Sequence, residues 1–189
     1  MFERFYPTVY VPDAYGINYE RLYADGYRAI IWDVDNTLVT HGAPADERAV
    51  RLFERIKALG FSCTLLSNND EARVKMFNDA VGVSYIYKAQ KPKPDNYRLA
   101  MNRMGSDETT TVFIGDQIFT DIFGANNANI PSIMVAYIDR HEEIQIVLKR
   151  RLEAIVLFFY RRFVCRQDSS DPKSAAYWRK RYYEDCNCQ

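Results

Sequence analysis

The sequence predicts an α/β domain with a mainly parallel, five-stranded sheet between helices. Three observations predict it. Short apolar runs recur along residues 1–137 and alternate with segments of helical period. Glycine closes most of the helical segments. Polar clusters follow the first four apolar runs, where the carboxyl ends of parallel strands open onto a ligand crevice.

Taken in order, residues 1–27 are aromatic-rich and broken by Pro7, Pro12, Gly16 and Gly26. They read as a lead-in loop with one short helix near 18–23. Residues 28–34 form the first expected strand. Residues 46–59 form an amphipathic helix, with Val50, Phe53, Ile56 and Leu59 at helical spacing and Gly60 as its stop. A second strand follows at 61–66. The next helix, 70–81, has Asp70 as its N-cap and Gly82 as its stop. A short strand at 84–87 precedes a helix at 95–104, which starts after Pro94 and ends at Gly105. Residues 110–114 form a strand, 120–126 a helix and 131–137 a final strand.

The chain has 189 residues, enough for one well-buried domain with some residues to spare. We divide it into a domain over 1–140 including the lead-in, a helical segment at 141–166 and a polar tail at 167–189, which reads as a mobile tail or a late-docking helix with no assigned chemistry. The formal net charge is zero but unevenly spread: residues 140–189 hold 11 Lys/Arg against 7 Asp/Glu, and residues 1–139 hold 14 against 18. An anionic surface would therefore meet the C-terminal segment first, and we expect no nucleic-acid partner. No basic stretch leads into an apolar run at the N-terminus, so no signal peptide is expected. No apolar run approaches the roughly 20 residues of a membrane span. The four cysteines, Cys63, Cys165, Cys186 and Cys188, read as thiols of a reducing compartment. These features point to a cytoplasmic protein. No internal repeat is present.

The chemistry sits in the polar clusters. Asp33 and Asp35 stand two residues apart at the end of a buried strand, where like charges are costly unless a cation joins them. Ser67-Asn68-Asn69 ends the second strand, Lys91 follows the third, and Gly115-Asp116 with Asp121 follows the fourth. One parallel sheet brings all of them to one edge. The carboxylates Asp33, Asp35, Asp116 and Asp121, with no His or Cys among them, favour Mg²⁺. Lys91 and a hydroxyl suit a phosphoryl group. Asp33 is then the candidate nucleophile and Asp35 the candidate acid/base.

The motifs "DVDNTLV", "LLSNN", "AQKP" and "GDQIFTDIFGAN" resemble those of the haloacid dehalogenase (HAD) phosphatases, and more narrowly the YqeG-like members of subfamily IIIA. Relatives of that group include phosphatidylglycerophosphate phosphatases. The resemblance covers roughly residues 1–137 and implies a Rossmann-like fold. It also implies that Asp33 is nucleophile and Mg²⁺ ligand, that Asp35 gives its backbone carbonyl to the metal, and that Asp116 and Asp121 complete or orient the metal shell. Ser67 and Asn68 would hold the phosphoryl oxygens, and Lys91, rather than its neighbour Lys93, would neutralise charge.

HAD enzymes usually choose substrates with an inserted cap. The intervals between Leu38 and Ser67 and between Asn69 and Gly115 leave no room for one. An open site suits a phosphate carried on something large, such as a lipid head group. Residues 141–166 read as a basic amphipathic helix: Ile144, Val147, Leu148, Ile155, Phe158 and Phe159 recur at helical spacing among Lys149, Arg150, Arg151, Arg161 and Arg162. Such a helix can pack on the domain, meet a partner or lie peripherally on the inner face of a membrane. The expected function is a Mg²⁺-dependent phosphomonoester hydrolase. The alternatives are a soluble sugar-phosphate or nucleotide phosphatase and a non-catalytic binding module. His41, just after the first motif, is expected to be exposed, with substrate contact as the alternative, and His141 and the Cys186–Cys188 pair have no assigned role.

Overall fold

Apolar runs too short for helices build the centre of the molecule. A computed structural model describes residues 3–139 and 144–183, with backbone alone over 144–149. His141, Cys186 and Cys188 lie outside the described residues, and the side chains of Ile144, Val147, Leu148 and Lys149 are likewise not described. Strand β2 (Ala29–Trp32) is buried at every position. It lies between β3 (Ser62–Leu66) and β5 (Thr111–Gly115), both parallel to it, with Trp32 opposite Leu65 on one side and Ile114 on the other. The sheet has six parallel strands in the order β1-β6-β5-β2-β3-β4, where β4 is Ser84–Ile86, β6 is Ser132–Val135 and β1 is Val9–Val11.

The sixth strand corrects the expectation of five. Val9–Val11 lies in the lead-in read as loop and short helix, and it pairs with β6, Val9 against Ile133 and Val11 against Val135. Two valines facing inward and a half-exposed Tyr10 suit an edge position, which Pro7 and Pro12 keep short.

Successive side chains of β2 divide between two cores, as the period of a strand requires. Ile30 and Trp32 join Phe53 of α2 (Glu47–Ala58), Phe77 of α3 (Glu71–Val81) and Leu22 of α1 (Tyr19–Ala24). Ile31 joins Tyr97 of α4 (Asp95–Met104), Phe113, and Ala125 of α5 (Phe123–Asn127). The caps follow the sequence. Asn18, Asp46 and Asp70 each accept a hydrogen bond from a backbone N–H three residues on. Gly82 and Gly105 close α3 and α4 in the left-handed conformation, at φ 58° and 63°.

A second departure concerns the helix expected at 120–126. Residues Ile118–Ile122 instead form a π-helical turn, in which the N–H of Ile122 reaches back to the Gln117 carbonyl, and α5 begins only at Phe123. Single π turns of this kind often mark functional sites.

Two helices follow the sheet. α6 (Ile144–Val164) sets Val156 against Ile118, Ile122 and Met134. α7 (Ala175–Tyr182), within the polar segment expected as a mobile tail or a late-docking helix, buries Trp178 and Tyr182 in the core that holds Trp32. The Trp178 ring centroid lies 4.9 Å from that of Tyr182 and 5.7 Å from that of Tyr27. Asp25 pairs with Arg181 and accepts a hydrogen bond from the Tyr182 hydroxyl. Trp178 is only 6% exposed, so Trp178→Ala should cost about 3–5 kcal/mol. Urea unfolding should show this as a lowered midpoint, and an unchanged midpoint would mean that α7 adds nothing to the core.

Candidate active site

The strand order reverses around β2: β3 and β4 extend the sheet one way, while β5 and β6 extend it the other. The carboxyl ends of β2 and β5 therefore flank a crevice. Asp33 leaves β2 with its N–H bonded to the Ile114 carbonyl, which fixes where its side chain starts. Asn36 takes φ 63°, a left-handed conformation that asparagine tolerates, and its N–H reaches the Val39 carbonyl. This tight turn swings Thr37 back into the crevice. The Thr37 hydroxyl lies 3.1 Å from Asp33 Oδ2 and 3.3 Å from Asp116 Oδ1, so it can donate to either.

Asp33, Asp116 and Asp121 converge, with one carboxylate oxygen from each within 4.8 Å of the others. All three are buried. The π turn aims Asp121. Its Oδ2 accepts from the backbone N–H groups of Asp116 (3.2 Å) and Gln117 (3.0 Å). Gly115 is required here, because a Cβ would stand 2.6 Å from Asp121 Oδ2. The Tyr97 hydroxyl braces the turn from beneath through the Thr120 and Asp121 carbonyls.

Lys91 enters from the loop after β4. Its Nζ donates to Asp33 Oδ1 at 2.6 Å and to Asp121 Oδ1 at 2.7 Å. Lys93 instead stays at the surface and bonds Gln90. The side chain of Asn68 fixes the Lys91 backbone from both sides, accepting from its N–H at 2.7 Å and donating to its carbonyl at 3.2 Å. Ser67 is buried at the end of β3, where its hydroxyl accepts from the Asn69 N–H. The Asp35 side chain stands outside the converging trio. It accepts from the Gly42 N–H at 2.8 Å, from Asn69 at 2.7 Å and from Arg73, with Nη2 at 2.8 Å. His41 is exposed at the rim, its Nδ1 3.6 Å from Asp35.

Burial dominates the electrostatics. It pushes the Asp33 carboxyl up to about 7, with Lys91 pulling it down and Asp121 and Asp35 pushing it further up. Burial, and then the charge of Asp33, holds Asp116 well above the usual carboxylate range, although Arg150 pulls the other way. Burial alone would lower the Lys91 ammonium, but Asp121 and Asp33 outweigh it and hold it above its ordinary value. Buried carboxylates held this high lack sufficient positive charge around them. Their donors are hard oxygens with no His or Cys, which fits Mg²⁺, whose ligands sit at about 2.0–2.1 Å.

Sequence reasoning missed three residues here. Arg73, on α3, grips Asp35. Arg150, on α6, bonds Asp116 Oδ2 and, at 3.0 Å, the Asp116 carbonyl, with its guanidinium 4.6 Å from the centroid of the Tyr137 ring. Glu153, one turn on, accepts from Arg150 at 2.9 Å and from the Ile118 N–H at 2.7 Å. The available signal was the Arg150/Glu153 spacing, which places the two on one helix face, Glu153 being the lone acid in an otherwise basic and apolar stretch at 149–166.

Comparison with known proteins bears on this arrangement. Residues 41–129 match the family of haloacid dehalogenase-like hydrolases. The chain is 34% identical over 154 residues to "Probable phosphatase YqeG" of Bacillus subtilis, covering 81% of this chain and 90% of that one. The chain belongs to the haloacid dehalogenase-like hydrolases. A more distant relative is phosphatidylglycerophosphate phosphatase 1, chloroplastic/mitochondrial, of Arabidopsis thaliana, at 27% identity over 162 residues. That match covers 80% of this chain but 47% of the relative. A Streptomyces avermitilis structure assigned to the HAD hydrolases shares the fold, with a TM-score of 0.50 at 12% identity over 61% of this chain and 76% of that one. Within the HAD family, this chain is a phosphatase of the YqeG group, a phosphomonoester hydrolase. Among the described residues, no domain interrupts the stretches from Leu38 to Ser67 and from Asn69 to Gly115, which hold only α2 and β3, then α3, β4, α4 and β5.

Proposed function

We propose that this HAD phosphatase works through a covalent phosphoryl group on Asp33, with Mg²⁺ as cofactor and a phosphomonoester on a large or lipid carrier as substrate. The observation that supports it most is the convergence of Asp33, Asp116 and Asp121, with Lys91 bridging two of them. In the first step an Asp33 oxygen attacks phosphorus and the bond to the leaving oxygen breaks. Asp35 gives that oxygen its proton. In the second step Asp35 takes a proton from the attacking water, the bond between Asp33 and phosphorus breaks, and inorganic phosphate leaves.

Lys91 balances the negative charge on the phosphoryl oxygens, and the Ser67 hydroxyl and the Asn68 backbone orient them. Asn69 and Arg73 hold Asp35 between its two proton transfers. Arg73 Nη1 is buried and has no hydrogen-bond partner among the described residues, which leaves a donor for an anionic oxygen. Asp33, Asp116 and Asp121, with the backbone carbonyl of Asp35, would hold Mg²⁺. When bound, the ion would supply positive charge to the transferring group.

The name of the Arabidopsis relative and the lack of an inserted domain support a lipid-borne phosphate. A substrate panel tests this: phosphatidylglycerophosphate in mixed micelles, an aryl phosphate, sugar phosphates and nucleotides, each with Mg²⁺ and with EDTA. Release of inorganic phosphate should require Mg²⁺ and be fastest from the lipid. Preference for a sugar phosphate or nucleotide would overturn the carrier assignment. No release from any of them would overturn the mechanism.

A further inference from the structure

Helix α6 presents two different faces. Glu153, Val156 and Tyr160 are buried on the inner one. On the outer one, Leu152 and Ile155 are each 51% exposed, Phe158 54%, Phe159 42% and Phe163 39%. These five make up half of the large exposed apolar side chains among the described residues. Arg151, Arg161 and Arg162 are exposed along the same helix, and Arg166 just past its end. The one acid between residues 150 and 166 is Glu153, which is buried, so the outer face carries no carboxylate. A cleft of about 380 Å³ opens there between Tyr6, Phe158, Phe159, Arg162, Phe163 and Arg166. Its rings are held in place: Phe163 lies 5.3 Å from Tyr6, and the Arg162 guanidinium 5.5 Å from the Phe158 centroid.

We infer that the outer face of α6 docks on a bilayer containing anionic lipid. Aromatic and aliphatic side chains interleaved with arginine, and free of carboxylates, complement a negatively charged interface that is apolar just beneath. A second copy of the chain complements this face poorly. A two-fold pairing would set its arginines against their own counterparts. Spanning is not an alternative, since among the described residues no helix is long and apolar enough to cross a membrane. The inner face of the same helix reaches Asp116 through Arg150. Docking would therefore hold the catalytic crevice about one helix diameter, roughly 10–12 Å, from the lipid. The docking surface stands independently of the phosphatase mechanism, and together they would bring the site to phosphates carried on lipid.

Co-sedimentation of the full chain with vesicles tests the inference. Binding to vesicles of equal parts phosphatidylcholine and phosphatidylglycerol should exceed binding to phosphatidylcholine alone by at least about tenfold, and should weaken as salt rises. Each neutralised arginine should lower binding about fivefold, so R151Q/R162Q/R166Q together should lower it roughly a hundredfold. Phe159→Asp should also release the protein while its melting temperature stays unchanged. Turnover of a soluble aryl phosphate should persist in all these variants, so loss of docking reads separately from loss of catalysis. Equal binding to both vesicle types, or none, would overturn the inference. So would sedimentation as a dimer that Phe159→Asp dissolves while vesicles remain unbound.

Discussion

Asp33→Asn should abolish turnover, by about a thousandfold or more, while leaving the metal-free fold at least as stable as the wild type. The amide keeps the shape of the side chain but cannot act as the attacking oxygen. Its effect on stability runs the other way. Burial and the neighbouring carboxylates push Asp33 up to about 7, so its charged form is disfavoured in the fold. The neutral side chain relieves that cost, and Lys91 retains Asp121 as a partner. Adding Mg²⁺ should raise the melting temperature of the wild type and raise that of the variant less, since one ligand has lost its charge. Phosphate release and thermal unfolding, each with and without Mg²⁺, check both halves. Activity within tenfold of wild type would remove Asp33 from the mechanism.

Lys91→Met should damage both activity and stability. Methionine fills nearly the same volume, so packing changes little, but Asp33 and Asp121 lose the ammonium that lies within 2.7 Å of each. Removing one partner of a buried ion pair typically costs about 3–5 kcal/mol, because the charge left behind has no compensation. Turnover should fall by about a hundredfold or more, as the transferring group loses a fixed positive neighbour. The two losses should separate when Mg²⁺ is raised. The cation restores part of the melting temperature by neutralising the carboxylates, but it does not replace the donor that Lys91 supplies. A variant that melts like the wild type without metal would show that the pair is not buried as described.

Asp33 was legible in the sequence because it closes an apolar run whose strand identity was also legible. The caps at Asn18, Asp46 and Asp70 were readable for the same local reason: a side-chain oxygen stands just before a periodic apolar segment. Strand β1 was not legible, since three residues between two prolines become a strand only by pairing with β6, distant in the chain. Arg73 was hidden because nothing beside it in sequence marks it, and the spacing of Arg150 and Glu153 shows only that they share a helix face, not what that face meets. Their importance comes from the carboxylates they meet, Asp35 and Asp116, and those meetings exist only after the helices dock. Lys91 could be preferred to Lys93 only by resemblance, whereas in the fold one is buried between carboxylates and the other is at the surface.

The wide turn at Ile118–Ile122 has a consequence for insertions and deletions. Losing one residue there would let the chain wind as an ordinary helix straight from the end of β5. Every later position would then rotate by about 100°, carrying the Asp121 carboxylate off Lys91 and out of reach of the Asp116 amide. The spacing between these two aspartates is therefore as constrained as their identities, even though a shorter loop would wind more regularly.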